Sequence, residues 1–149
     1  RMQDLPWVFC QVIRICSAMD VPAFKIGGSL QGILRPDKLI LYVRGEESVW
    51  SVARELSVVL RGCEARGVAF SAPIEDEGLL SWGMDPSAHS SVGFAGGCSW
   101  RTFIAQRIAA AMSRAALVED LSDQLIEFAL ARLRLEGIEP NGWRPASDW

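Results

Sequence analysis

Residues 94–107, FAGGCSWRTFIAQR, carry a glycine pair and a serine directly into an amphipathic helical pattern with arginines at its start and further in. Amide groups at a helix start, together with the positive end of the helix dipole, attract phosphate or carboxylate. Ser99 is a natural N-cap, and Arg101 beside it adds a full positive charge. Arg107 and Arg114 lie seven residues apart and share a face. Arg107 suits anion binding and a surface role equally, whereas Arg114 reads as solvated. Elsewhere, Lys25 stands between Phe24 and Ile26, where strand alternation turns it away from both. A lysine partly withdrawn from water gives up its proton more readily and serves as a general base; the alternative is an exposed strand lysine. Arg35 and Asp37 flank Pro36 and form a turn with an ion pair as readily as a functional pair. Tyr42, the only tyrosine, is either a buried ring with a hydrogen-bonded hydroxyl or a proton donor. His89, the only histidine, is a proton-donor candidate because imidazole titrates near neutrality, or else a solvated loop residue. Trp82 and Trp100 fit a core or one wall of a peptide groove. The residues by themselves point to a phosphate or carboxylate ligand.

These side chains need elements to hold them. Residues 6–19 are apolar over a helical length, although alternation of Trp7, Phe9, Gln11, Ile13 and Ile15 also fits a strand. A break at residues 20–22 precedes a short strand at 23–26, and KLILYV at 38–43 is a buried strand bounded by Pro36 and Gly45. Residues 47–61 follow a helical period with Val49, Ala53, Leu56 and Leu60 on one face, and Gly62 ends that helix. Residues 68–70 and 79–84 are further strand candidates, and residues 85–97 read as a long proline-, serine- and glycine-rich loop. A helix beginning after Ser99 buries Phe103 or Ile104, Ile108, Met112 and Ala115. Another over about 118–135 buries Leu121, Leu125, Phe128 or Ala129, and Leu133, with Gly137 as its cap, and residues 141–149 read as a loop tail. Strands mixed with helices without strict alternation predict an α+β fold: a small mixed or antiparallel sheet covered by helices, with two C-terminal helices.

Composition bounds the function. At 149 residues, half of them hydrophobic, the length suits one domain over residues 1–149 with a sizeable core. A formal charge of −3, from 15 basic and 18 acidic residues, leaves no footprint for general nucleic-acid binding. Four cysteines without a CxxC pair, and one histidine, do not make a recognisable zinc set, so no metal or other cofactor is expected and the thiols read as reduced. No apolar run approaches the roughly 18 residues that span a bilayer, and no signal-peptide pattern opens the chain, so a cytoplasmic protein without membrane partners is expected.

Several blocks, taken in order, resemble the C-terminal part of the HopA-like effector family. They are Phe24-Lys25, RPDKLILYV at 35–43, FSAPIEDEGLLSWGMDP at 70–86, SWR at 99–101 followed by IAQRIAAAM, and the closing RLRLEGIEP. Members of that family act as the lyase component in class V lanthipeptide and thioamitide biosynthesis and look distantly similar to phosphothreonine lyases of bacterial pathogens. The resemblance implies β-elimination of phosphate from phosphoserine or phosphothreonine of a precursor peptide, leaving dehydroalanine or dehydrobutyrine. It implies as partner an aminoglycoside-phosphotransferase-like kinase, no metal, and a longer family architecture around this domain. By the same resemblance Lys25 is the candidate base, Tyr42 and His89 are weaker candidates for the acid, and Arg35 and Arg101 with Ser99 hold the phosphate; Arg107 is a further phosphate-binding candidate from its helix position alone. Many relatives carry a histidine–arginine pair where this chain reads SWRTFI; the histidine is absent here.

Overall fold

The computed structural model describes residues 2–75, 78–83, 98–117 and 124–146. Helix α1 (Leu5–Ala18) leads through β1 (Ala23–Ile26) and the short α2 (Leu30–Leu34) to β2 (Leu39–Tyr42) and α3 (Glu46–Val59). Strands β3 (Ala72–Pro73) and β4 (Ser81–Trp82) follow, then α4 (Trp100–Ala115), α5 (Leu125–Leu135), β5 (Ile138–Glu139) and β6 (Arg144–Pro145). The fold is α+β, as expected, and among the described residues its strands form three two-stranded sheets, β1–β2, β3–β4 and β5–β6, in place of one. The chain divides into two compact units, one of Arg1–Val68 with Pro73–Ser81 and one of Ala69–Ala72 with Trp82–Trp149. No helix among the described residues is long and apolar enough to cross a membrane.

The first unit is built on α1 against α3. Pro6 sits in the first turn of α1, where its missing N–H costs nothing, and the helix period wins over strand alternation across residues 5–18. The helix ends as Asp20 turns left-handed (φ 51°) and the Val21 amide reaches back to the Cys16 carbonyl at 2.9 Å, closing orphan carbonyls of the last turn. Helix α3 starts at Gly45, whose φ of 78° favours glycine, and places Glu46 and Glu47 at the positive end of its dipole. Val12, Cys16, Val52, Leu56 and Leu60 form the core, and Leu39 and Leu41 of β2 pack on it. Strands β1 and β2 pair antiparallel, Ala23 with Tyr42 and Lys25 with Ile40. The turn out of β1 brings backbone against backbone: a Cβ on Gly27 would lie 2.3 Å from the Gly32 carbonyl carbon. Ser29 caps α2 by accepting the Gly32 amide.

The second unit is built on α4 against α5. Its core joins Trp100, Phe103, Ile104, Leu133 and Ile138, with Phe70 and Trp143 packed on it. Both Phe103 and Ile104 are buried, and Ala111 is buried with them, while Met112 is only half-buried. Trp100 is therefore core rather than groove wall: its indole N–H donates to the Trp143 carbonyl at 2.8 Å, and its ring stacks on Phe103. Helix α5 is described from Leu125, buries Ala129 and Leu133, and ends with Gly137 left-handed (φ 76°), its amide on the Arg134 carbonyl.

Three local expectations give way. The strand expected at 68–70 is absent, because Phe70 takes a positive φ of 58° that extended pairing does not allow; the pairing falls at Ala72–Pro73 instead. Of the strand expected at 79–84, Ser81–Trp82 is strand and residues 79, 80 and 83 are not, while Met84 lies outside the described residues. The tail at 141–149, expected as loop, supplies strand β6, which pairs with β5 just before it, Ile138 opposite Pro145 and Glu139 opposite Arg144. The Glu139 carboxylate accepts the amides of Asn141 (2.8 Å) and Gly142 (2.6 Å), which fixes the turn. The loop expected at 85–97, with His89, and Leu121 of the expected α5 stripe lie outside the described residues.

Candidate functional site

The residues singled out for chemistry fall in both units. In the first, β1–β2 pairing sorts side chains by face. Phe24, Ile26, Leu39 and Leu41 share one face, Leu39 and Leu41 on the core and Phe24 edge-on to Phe9 of α1. Ala23, Lys25, Ile40 and Tyr42 share the other. Lys25 and Tyr42 are both exposed, and because Lys25 opposes Ile40, two residues from Tyr42, they are diagonal neighbours with Cβ atoms roughly 7–8 Å apart. Lys25 thus points away from both Phe24 and Ile26, as alternation requires, but stands in water rather than partly withdrawn from it. Tyr42 is likewise no buried ring.

Arg35 stands just after α2 and grips Asp37 across Pro36: Nε donates to Oδ1 and Nη2 to Oδ2, each at 2.8 Å. The carboxylate, by this two-point hydrogen bond first and its charge second, pushes the Arg35 guanidinium still higher above its ordinary value. The turn ion pair is therefore real, and its Nη1 takes no part in it.

In the second unit Ser99 caps α4, as its type predicts. Its Oγ accepts the Thr102 amide at 3.3 Å and lies 3.0 Å from the Thr102 hydroxyl, while its carbonyl accepts the Phe103 amide. Two amides of the helix start are thereby already satisfied within the helix. Arg101 is half-buried, with Nε donating to the Ala69 carbonyl at 2.8 Å, so it links the helix start to the segment that carries Phe70.

Arg107 lies six residues further on, about 9 Å along the helix axis. Its guanidinium sits over the Phe103 ring (5.0 Å to the centroid) and 3.5 Å from Oε2 of Glu136. Arg132, one turn before Glu136 on α5, reaches Oε1 at 3.3 Å. With Arg114, Ala110 and Ala111 these residues line a cavity of about 140 Å³. Sequence reading recognised Arg107 and Arg114 as one face and missed Arg132 and Glu136; the i, i+4 spacing of those two on a helix was the available signal. Among the described residues no group of histidine, cysteine and acidic side chains is placed to hold a metal ion, and all four cysteines are free.

Comparison with protein-family models, with curated proteins and with solved structures returned no match to this chain. The resemblance to the HopA-like effectors therefore rests on the quoted sequence blocks alone.

Proposed function

We propose that this chain is a metal-independent lyase that removes phosphate from phosphoserine or phosphothreonine of a ribosomal precursor peptide, working in the cytoplasm beside the kinase that installs the phosphate. The observation that supports the reading is the shared outward face of Lys25 and Tyr42, the candidate base and a candidate acid, as diagonal neighbours on the β1–β2 pair. Elimination needs a base, and an acid can assist the leaving oxygen. Once bound peptide covers this face and withdraws Lys25 from water, its neutral amine takes the Cα proton, the Cα electron pair forms the Cα–Cβ double bond, and the Cβ–O bond breaks with its electrons leaving on phosphate. The Tyr42 hydroxyl gives its proton to that departing oxygen. The Nη1 edge of Arg35, in the same unit as Lys25 and Tyr42, supplies a cationic contact for the phosphate.

The test is mass spectrometry of phosphorylated precursor peptide incubated with the chain and its kinase. Wild type releases phosphoric acid, and Lys25→Met and Tyr42→Phe each slow that release by about 100-fold or more while the fold is kept. Unchanged elimination by Lys25→Met sinks the base assignment.

A second reading, a non-catalytic peptide- or kinase-binding subunit, is favoured by the engagement of both cations, Arg35 with Asp37 and Arg101 with the Ala69 carbonyl. It requires peptide or kinase affinity without elimination, weakened by Arg101→Ala and indifferent to Lys25→Met.

A further inference from the structure

We infer that the α4–α5 cleft is a separate phosphate site, selective for a phosphate group that still carries a proton. Three guanidinium groups, from Arg107, Arg114 and Arg132, line the cavity against one carboxylate, Glu136, so its charge favours an anion. Ala110 and Ala111 leave its wall free of bulky side chains between Arg107 and Arg114. Glu136 does not close the account. Its contacts to Arg107 and Arg132 are long, 3.5 and 3.3 Å, and Oε2 is buried without a hydrogen-bond donor. A buried acceptor in that condition is costly, and a ligand that brings a donor relieves it.

One chemistry satisfies both halves of the cavity. A phosphate group can accept from several guanidinium N–H groups and, in its protonated form, donate P–O–H to the Glu136 carboxylate once that partly exposed side chain turns from its long arginine contacts toward the cleft. Phosphomonoesters have a second pKa near 6, so the protonated form is accessible at neutral pH. Sulfate offers the same shape with no proton to give, and leaves Oε2 as it was. The carboxylate that looks misplaced in a basic cleft is thus the selectivity element. Free phosphate and a phosphorylated side chain present the same group, and neither depends on the elimination proposed for Lys25 and Tyr42.

The test titrates the full chain with inorganic phosphate, with sulfate and with a phosphoserine peptide at constant ionic strength. It follows the Ala110 and Ala111 amides and the arginine Nε–H signals by NMR, which separates this cleft from the start of α4. Phosphate is expected to bind about tenfold more tightly than sulfate, the effect of one satisfied buried acceptor. Arg114→Gln, at an exposed position where the fold is not at stake, should weaken phosphate binding several-fold, and Arg132→Gln should do the same. In Glu136→Gln the phosphate-to-sulfate ratio should fall toward one, because the amide can donate to either ion. Tighter binding of the peptide identifies a phosphorylated side chain as the ligand; tighter binding of the inorganic ion identifies free phosphate. Equal affinities for phosphate and sulfate in wild type, or a ratio untouched by Glu136→Gln, overturn the inference.

Discussion

The two units hold their polar side chains in opposite ways. In the first, the apolar face of the β1–β2 hairpin lies on an aliphatic core between α1 and α3, and Lys25 and Tyr42 stand on the other face without contributing to that core. In the second, the arginines belong to the helices that make the core: Arg107 covers Phe103, a core ring, and Arg101 is tied to the backbone beside Phe70. The side chains proposed for chemistry are separable from stability in the first unit and entangled with it in the second. On the proposed reading, loss of function on changing Lys25 or Tyr42 reports on chemistry, whereas the same loss on changing Arg101 or Arg107 needs a stability control.

The hardest blow to that contrast is Ile104→Ala. Ile104 is completely buried in the α4–α5 core, and its truncation should cost about 2–5 kcal/mol in chemical denaturation. Hydrogen exchange should show protection lost in α4 and α5 more than in α1 and α3; equal loss everywhere would dissolve the distinction between the two cores. Ser99→Ala comes next, at about 1 kcal/mol, because the Thr102 amide loses its cap. Its signature is faster exchange confined to the first turn of α4.

Cys16 sharpens the picture of the first core. Burial pushes its thiol above the ordinary value of 9.0, so the folded state holds the proton more tightly than the unfolded chain does. That contribution is fully present below the ordinary thiol value and is lost as pH rises past it toward the raised one. Denaturation of wild type and Cys16→Val at pH 8 and 10 should show the wild type losing more stability across the interval. The exposed Cys10 should meanwhile be alkylated well before Cys16. Smallest of all, Lys25→Met and Tyr42→Phe should each move stability by less than about 0.5 kcal/mol, as exposed positions do. A larger loss would mean that the hairpin's outer face is structural after all.

Much of this architecture could be read from residue order, and the failures are local. Helices α3 and α4 and strands β1 and β2 announce themselves because apolar spacing and the punctuation of Asp20, Gly45, Gly62 and Ser99 agree with each other, whereas for α1 only length favours the helix over an equally visible strand alternation. Residues 68–70 misled because nothing in the type of Phe70 signals a left-handed backbone; its ring is held edge-on to Trp143, 73 residues away, a contact no short window contains. The final hairpin was signalled by Asn141-Gly142, a favoured turn pair, but its strands are only two residues long and show no alternation to notice. For the site, residue type identified Ser99 as a cap and strand alternation gave the direction of Lys25. Neither could give its exposure, nor the meeting of Arg107 with Arg132 and Glu136, since both depend on which elements pack together.

The contact between Gly27 and Gly32 reaches further than its size suggests. Where main chain rests on main chain, no change of side chain can retune the angle at which the hairpin leaves its turn, and every bulkier residue at 27 is shut out. The platform that bears Lys25 is in this sense fixed in place while its cargo stays interchangeable: drift or design can rewrite what the strand displays, but not the direction in which it is displayed.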